Sequence, residues 1–202
     1  MSLLSNILGR KPPADAGETE ILTQRLRSIE GSAAADLAAE LLRAPSALLQ
    51  LNHEEARKVV SYMRPHRIAE GMTFIREGYT EHTHFMLLVL DGQVTVETIV
   101  VSRTQPITVT VLGPGSLIGE MGLLDGEPRS ASCTAMSDLR CAILTRKALK
   151  QLLADDPQTA AKLMVAISLR IAERMRECQE KLKLYAQLTQ AMNEEINALM
   201  PL

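Results

Sequence analysis

Between residues 65 and 145 the sequence alternates short apolar runs with turn signals, and this alternation restricts the possible folds more than any other feature. The runs, in chain order, are RIAE, FIRE, HFMLLVL, QVTVETIVV, PITVTVL, SASCTAM and LRCAIL. Asp91-Gly92 separates two of them, and such a pair between β-branched runs is typical of a hairpin turn. Short strands at this spacing favour an antiparallel barrel or roll over a parallel sheet with crossover helices.

Helical patterns precede the strands. Residues 18–50 are rich in Ala, Leu, Glu and Arg, and their apolar positions recur every three or four residues. They predict two helices, with breaks near Gly31-Ser32 and Ala44-Pro45. A third helix is predicted to begin at Asn52, a residue type that often caps helices. Its predicted buried residues are Val59, Val60 and Met63.

Two further helices are predicted after the strands. Arg146–Leu153 reads as a short helix, which Asp155-Asp156-Pro157 ends. Residues 158–200 contain neither glycine nor proline, so one long helix can continue through them. An apolar seam steps along it by three and four residues, through Ile171, Met175, Cys178, Leu182, Tyr185, Thr189, Met192, Ile196 and Leu199. We expect this seam to form a parallel homodimeric coiled coil; the alternative is a helix that folds back over the roll or the N-terminal helices.

These patterns together predict an α+β fold, an antiparallel β-roll of the double-stranded β-helix or jelly-roll type flanked by helices. In this interpretation residues 1–51 form an N-terminal helical extension, residues 52–156 the roll and residues 157–202 the long helix. Within the extension, residues 1–16 look like a short amphipathic start followed by a mobile link.

Charge and cysteine content argue against several classes of protein. The formal net charge is −2, so no basic excess favours binding to nucleic-acid phosphates. The three cysteines lack a CxxC pair, which disfavours a disulfide framework or a zinc site and fits a reducing cytoplasm. No stretch approaches the ~18 apolar residues that span a membrane, and the N-terminus lacks the pattern of a signal peptide. We expect a soluble cytoplasmic protein.

The stretch IGEMGLLDGEPRSAS, residues 118–132, places two glycines, an acid and an arginine close together. It is either an ordinary β-turn segment or a cradle for a phosphate attached to a sugar. A cradle needs backbone N–H groups that a ligand can approach closely, which Gly119 and Gly122 allow. It needs a forked cation for the phosphate oxygens, and Arg129 supplies one. It also needs a carboxylate to accept the hydrogen of a ribose 2′-hydroxyl, a role that Glu120 fits.

The string from Ile118 to Ala131 resembles the phosphate-binding cassette of cyclic nucleotide-binding domains, which occur in catabolite-activator-type regulators, protein kinase A regulatory subunits and cyclic-nucleotide-gated channels. The resemblance covers about residues 52–180, and the family's hinge and lid helices fall on Arg146–Leu153 and on Pro157 onward. It implies a sensor of a 3′,5′-cyclic nucleotide, cAMP before cGMP, that signals to an unidentified effector protein through helix rearrangement. The ligand-binding residues that it implies are Gly119, Glu120, Met121, Gly122, Arg129, Ser130, Ala131 and Arg174.

Two departures from the family pattern limit what the resemblance implies. Catabolite-activator-type regulators continue from their long helix into a helix-turn-helix domain, whereas this sequence ends at Leu202, so we expect no direct DNA binding. Those regulators contact the adenine through small hydroxyl residues on the long helix, where this sequence has Arg174 and Met175. Arg174 either stacks on or bonds to the purine, or is a solvated charge beside Arg170 and Arg176. Adenine, guanine and a cyclic dinucleotide all stay open.

Other functions have less support in the sequence. The roll could carry a vestigial pocket and act as a ligand-independent dimeric adaptor, or the protein could be a DNA-associated regulator without its own reading domain. Glu81-His82-Thr83-His84 suggests a metal site, but the apolar run that follows offers no carboxylate before Asp91, so an exposed loop is preferred. Gly113-Pro114-Gly115 does not match dinucleotide-binding spacing, and no nucleophile–base set is present. We therefore expect no metal, no cofactor and no catalysis.

Overall fold

The computed structural model describes residues 16–43, 50–81, 83–98 and 107–199 of the 202-residue chain. Its helices are α1 (Ala16–Ser28), α2 (Ala33–Leu42), α3 (His53–Ser61), α4 (Glu120–Leu124), α5 (Arg146–Asp155) and α6 (Pro157–Leu199). Its strands are β1 (Arg64–Ile68), β2 (Thr73–Ile75), β3 (Phe85–Asp91), β4 (Val94–Thr98), β5 (Ile107–Leu112), β6 (Leu117–Ile118), β7 (Ser132–Ala135) and β8 (Leu139–Thr145). Each predicted run corresponds to a strand, and the two-residue strand β6 was not predicted.

The described strands form two four-stranded sheets. One has the strand order β1-β8-β3-β6 and the other β2-β7-β4-β5. Every pairing in both sheets is antiparallel. The predicted α+β fold, an antiparallel roll with flanking helices and a long C-terminal helix, is therefore confirmed.

The turn at Asp91-Gly92 corrects one prediction. It does not close a hairpin, because β3 belongs to the first sheet and β4 to the second. Gly92 has a φ of +93°, and a Cβ on it would lie 2.6 Å from the carbonyl oxygen of Asp138. The turn thus packs on the β7–β8 connection, where the Gln93 amide donates to Ser137 Oγ at 3.2 Å. The predicted tight turn exists, but it carries the chain from one sheet to the other.

Strand β3 separates two apolar cores, which explains its unbroken apolar sequence. Leu87 and Val89 pack inside the roll with residues of the other sheet. Met86, Leu88 and Leu90 belong to a second core, which this sheet shares with α2, α3, α5 and α6. A strand that is buried on both faces reads as a continuous hydrophobic run rather than as an alternation. The second core therefore holds the helices against one sheet of the roll.

Side-chain caps start two of the predicted helices that precede the roll. Asn52 and Glu55 form a capping box at α3, in which each side chain accepts the other residue's amide hydrogen at 2.8 Å. The Ser32 side chain caps α2 in the same region of the fold. The buried residues predicted for the third helix and the turn after it are buried: Val59, Val60 and Met63.

Helix α6 continues without a break for 43 residues, as its glycine- and proline-free sequence predicts. Its first turns pack on the second core through Ala160, Leu163 and Ile167. From Met175 onward the seam residues are exposed along the described helix: Met175, Leu182, Tyr185, Met192, Ile196 and Leu199. From Met175 to Leu199 the helix therefore does not fold back over the roll, and the homodimeric coiled coil stays a prediction.

Some expectations concern residues outside the described ones: the N-terminal start and link up to residue 15, the break at Ala44-Pro45, His82, the end of the QVTVETIVV run and Met200. Among the described helices, none has the length and apolar content that a membrane crossing requires. The division of the chain at residues 51/52 and 156/157 stays a prediction. The second core does not follow these boundaries, because helices from all three proposed parts contribute to it.

Candidate functional site

Helix α4 begins the site, immediately after β6. Gly119 precedes it with a φ of +81°, a backbone conformation that favours glycine. A Cβ on Gly119 would lie 2.6 Å from Arg129 Nη1, and a Cβ on Gly122 would lie 3.0 Å from the same atom. The predicted reason for these glycines is the approach of a phosphate. The structure supplies a second reason, which is that both glycines make room for the Arg129 guanidinium.

Arg129 is buried, with 6% of its surface exposed. Its Nη1 donates to the Gly119 carbonyl oxygen at 2.9 Å and its Nη2 to the Phe85 carbonyl oxygen at 3.0 Å. The guanidinium also lies over the Phe85 ring, 4.7 Å from the centroid. Burial lowers the pKa of the guanidinium from its ordinary value, yet an arginine stays charged at neutral pH. The protein therefore holds a fixed positive charge at the start of α4.

Glu120 is the buried acid of the site, with 3% of its surface exposed. Its Oε1 accepts a hydrogen bond at 2.8 Å from Nη1 of Arg174, a residue of α6. Nη2 of Arg174 donates to the Leu117 carbonyl oxygen, also at 2.8 Å. Among the described residues, Arg174 is the ion-pair partner of Glu120, and its side chain is 41% exposed. A buried carboxylate is tolerated because this cation neutralises it.

A single cavity of about 110 Å³ brings the predicted site residues together. All eight of them line it: Gly119, Glu120, Met121, Gly122, Arg129, Ser130, Ala131 and Arg174. Its apolar wall was not predicted and consists of Ile75, Val96, Leu112, Ile118 and Cys133. The signal for four of these residues is the strand alternation, since Ile75, Val96, Leu112 and Cys133 come from β2, β4, β5 and β7, whereas Ile118 belongs to the two-residue strand β6.

Two other arginines attach the C-terminal helices to this region. Arg146, the first residue of α5, donates to the Leu123 carbonyl oxygen at 2.9 Å and to the Gly122 carbonyl oxygen at 3.2 Å. Arg170 of α6 donates to the carbonyl oxygens of Gly115 and Leu41. Nothing in the sequence predicts a role for Arg146, and Arg170 enters only one of the two interpretations of Arg174, as a neighbouring solvated charge. Only the folded chain shows these contacts, because they join distant residues.

Two cysteines of the roll are unreactive at neutral pH. Cys133 and Cys141 are buried free thiols, and burial raises their pKa to about 12 and about 11, so both stay protonated at neutral pH. The described residues include no group of three or more His, Cys, Asp or Glu side chains that could hold a metal ion. His82, which the metal interpretation needs, lies outside them.

Comparison with known proteins identifies relatives of the chain. Residues 65–156 match the family model described as the cyclic nucleotide-binding domain. The chain is also similar to a crystal structure of a cyclic nucleotide-binding domain from Methylobacillus flagellatus KT, with 30% identity and a TM-score of 0.69. That match covers 75% of this chain and 83% of the other. The matched family region contains the whole predicted cassette.

Two curated relatives are longer than the region they share with this chain. The Cyclic AMP receptor protein of Thermus thermophilus is 31% identical over 74% of this chain and 65% of its own length. A CRP-like cAMP-activated global transcriptional regulator of Mycobacterium tuberculosis is 30% identical over 31% of this chain and 28% of its own length. The chain thus spans less than two thirds of either relative.

Proposed function

The chain belongs to the cyclic nucleotide-binding domain family, and we propose that it is a sensor that binds a 3′,5′-cyclic nucleotide and signals to a partner protein by moving its helices. We further propose that it works in the cytoplasm and carries out no catalysis of its own. The free state of all three cysteines suits a reducing compartment.

One observation carries this proposal: a buried carboxylate and a buried guanidinium line the same cavity. Glu120 and Arg129 are 3% and 6% exposed, and both come from one short stretch. Burying a charge is costly unless it is paired or used. Arg174 binds Oε1 of the carboxylate, and Oε2 has no hydrogen-bond partner among the described residues. The site therefore offers both a cation for a phosphate and an acceptor for a hydroxyl.

In the proposed complex each of these groups has one role. Arg129 holds the phosphate through its fork geometry, with the main chain of Gly119 to Gly122 beside it. Glu120 accepts the hydrogen of the ribose 2′-hydroxyl, which also selects against a 2′-deoxy sugar. Met121, Ser130 and Ala131 line the remainder of the phosphate and sugar site.

The cavity must widen for a nucleotide to fit. The cavity of about 110 Å³ is smaller than the roughly 300 Å³ or more that small-molecule sites usually have. In the ion pair, the Arg174 side chain is 41% exposed whereas the Glu120 side chain alone is 4% exposed, so the arginine is the easier of the two to displace. We propose that the ribose takes its place on Glu120 and that Arg174 then closes over the base.

The base is proposed to be adenine rather than guanine. The support is that both curated relatives described above are named for cAMP. The residue that meets the base in this chain is an arginine, which can stack on either purine, so the preference rests on the relatives alone.

The proposed sensor is a homodimer whose effector protein is still to be identified. The exposed apolar seam from Met175 onward supports dimerisation through α6, because an isolated helix of this length leaves it uncovered. The net charge of −2 supports a protein partner rather than direct contact with DNA.

A second candidate, a ligand-independent dimeric adaptor, is favoured by one feature of the same site. Both terminal nitrogens of Arg129, Nη1 and Nη2, already donate to main-chain carbonyls, as expected if the arginine only stabilises the cassette. The open Oε2 of Glu120 has no such structural explanation, so we place the sensor first.

Isothermal titration calorimetry with cAMP, cGMP and cyclic dinucleotides tests the proposal. We expect heat of binding with cAMP, weaker binding of cGMP, and a loss of affinity of at least tenfold in Arg129→Lys, which keeps the charge but not the fork. Lys147→Ala, an exposed residue outside the cavity, is the control and should bind as the wild type does. A folded wild-type protein that gives no heat with any cyclic nucleotide would favour the adaptor.

A further inference from the structure

Two arginines one helical turn apart attach α6 to the segment that leads into the cassette. Arg174 donates to the Leu117 carbonyl oxygen and pairs with Glu120. Arg170 donates to the Gly115 carbonyl oxygen. Residues four apart lie on the same side of a helix, so both guanidiniums reach residues 115–120. The position of α6 and the geometry of this short segment are therefore linked.

Arg170 also binds an N-terminal helix. Its Nη2 donates to the Leu41 carbonyl oxygen at 2.8 Å, across 129 positions of sequence. The Leu41 carbonyl lies in the last turn of α2, where carbonyl oxygens lack the amide partner four residues on that they would have inside the helix. A cation at a helix C-terminus also interacts favourably with the helix dipole. Arg170 thus caps α2 from the opposite end of the chain.

We propose that Arg170 couples the nucleotide site to the N-terminal helices, so that ligand binding loosens the C-terminal end of α2. The inference rests on the proposed function, in which the ribose displaces Arg174 from Glu120. Because Arg174 and Arg170 belong to one continuous helix, a shift of α6 that follows the loss of the Glu120 contact weakens the contacts of Arg170 one turn away. The signal then appears at the end of α2.

The rest of α2 stays in place in this mechanism. Its buried face is packed in the second core through Ala35, Ala38, Ala39 and Leu42. Those apolar contacts, including the ones of Ala39 and Leu42 in the last turn, do not depend on Arg170, so the change is confined to the main-chain hydrogen bonds of that turn. The C-terminal turn of α2 is therefore the predicted output surface, as opposed to the helix as a whole.

In this mechanism ligand binding weakens the hydrogen bond of Arg170 to the Leu41 carbonyl, so that hydrogen bond in turn disfavours ligand binding. Coupling between two sites is reciprocal, so a variant without the cap should bind the ligand more tightly. We expect Arg170→Gln to bind cAMP roughly fivefold or more tightly than the wild type, the lower end of typical coupling. An arginine with a merely structural role would leave the affinity unchanged or weaken it.

Hydrogen–deuterium exchange with mass spectrometry on the full chain, combined with calorimetry, tests the proposal. In the wild type, saturating cAMP should raise exchange in peptides that contain the last turn of α2. In Arg170→Gln the same peptides should exchange rapidly without ligand and change little when cAMP is added. Arg176→Gln, an exposed arginine on the same helix, is the matched control and should behave as the wild type does.

The results of these experiments distinguish a failure of this inference from a failure of the proposed function. A wild type that gives no heat with cyclic nucleotides overturns the proposed function and this inference with it. A wild type that binds cAMP but shows unchanged exchange at α2 overturns the inference alone, and so does an Arg170→Gln affinity equal to or weaker than that of the wild type. If Arg170→Gln does not fold, Arg170→Lys, which cannot span both carbonyls, is judged by the same criteria.

Discussion

Alanine substitutions at four glycines separate two reasons for glycine in the cassette, a left-handed backbone and the close approach of Arg129. Gly119 has both, with a φ of +81° and a Cβ position 2.6 Å from Arg129 Nη1. Gly122 has only the close approach, at 3.0 Å. Gly71 has only the backbone conformation, a φ of +76°, and its Cβ would meet nothing within 4 Å. Gly113 has neither feature and is the matched control.

The structure gives the size of each effect. An L residue in the left-handed region costs about 1–2 kcal/mol, and alanine regains about 0.4–1 kcal/mol by restricting the unfolded chain. Moving Arg129 weakens its 2.9 Å bond to the Gly119 carbonyl, and a hydrogen bond from a charged donor contributes about 1.5–3 kcal/mol. Gly119→Ala should therefore lower the free energy of unfolding by about 2–4 kcal/mol, and Gly71→Ala by about 1 kcal/mol.

The other two variants complete the comparison. Gly122→Ala gains up to about 1 kcal/mol of helix propensity and loses part of the Arg129 contacts, so we expect a net loss of about 1–2 kcal/mol. Gly113→Ala should stay within about 0.5 kcal/mol of the wild type. Urea unfolding at one fixed protein concentration measures all four, because dimerisation would make the apparent stability depend on concentration. If Gly119→Ala costs no more than Gly71→Ala, the reasoning about Arg129 is wrong.

Three further perturbations test other parts of the molecule. Arg146→Ala removes the donor to two carbonyls at the end of α4 and should cost about 1–2 kcal/mol in urea, whereas Lys147→Ala should cost less than about 0.5 kcal/mol. Burial raises the pKa of Asp156, but hydrogen bonds led by that of Lys58 outweigh burial and leave the pKa below its ordinary value. Its stabilisation is therefore present above the unfolded-state pKa of about 4 and is lost as the pH falls through the folded-state pKa, so Asp156→Asn should flatten the acid limb of stability measured from neutral to acidic pH. Leu182→Asp should convert a dimer to a monomer in analytical ultracentrifugation, and a wild-type monomer at micromolar concentration would contradict the coiled coil.

The roll was predictable because its signals are local. Glycine turns and short apolar runs specify strands at their own positions, and a residue such as Asn52 starts a helix by a contact three residues away. Local signals do not specify which strands pair. The Asp91-Gly92 turn shows the limit, since its sequence is that of a hairpin while the roll uses it to pass between sheets. Strand β6 is too short, at two residues, to show any periodicity.

The sequence predicted which residues of the cassette meet at the candidate cavity better than it predicted their contacts. Glu120 and Arg129 lie nine positions apart in one motif, and both line the cavity. The partner of Glu120, Arg174, is 54 positions away, and the contact of Arg170 with Leu41 spans 129. A charged residue on a long helix has the same local sequence whether it faces solvent or another element. Only the packing of α6 on the roll distinguishes the two.

The two charges of the site differ in what a ligand must displace. Arg129 donates to the main-chain carbonyls of Gly119 and Phe85, which are neutral groups, so a phosphate that binds it need not displace an anion from these two bonds. Oε1 of Glu120 is bound to Arg174, so a ribose hydroxyl on the same carboxylate weakens an ion pair that reaches α6. In the proposed mechanism the phosphate therefore contributes mainly to affinity, and the hydrogen bond of the ribose hydroxyl to Glu120 causes the shift of α6.

The ligand 2′-deoxy-cAMP separates these contributions because it keeps the phosphate and the base but lacks the hydroxyl. We expect it to occupy the cavity with reduced affinity and to leave Arg174 on Glu120. Exchange at the last turn of α2 should then stay at the level of the free protein, although cAMP at equal occupancy raises it. Calorimetry gives the concentration at which each ligand saturates the cavity. Exchange is then compared between samples saturated with one ligand or the other. If saturating 2′-deoxy-cAMP raises exchange at α2 as much as cAMP does, displacement by the ribose hydroxyl is not the trigger, and the phosphate or the base must move α6 instead.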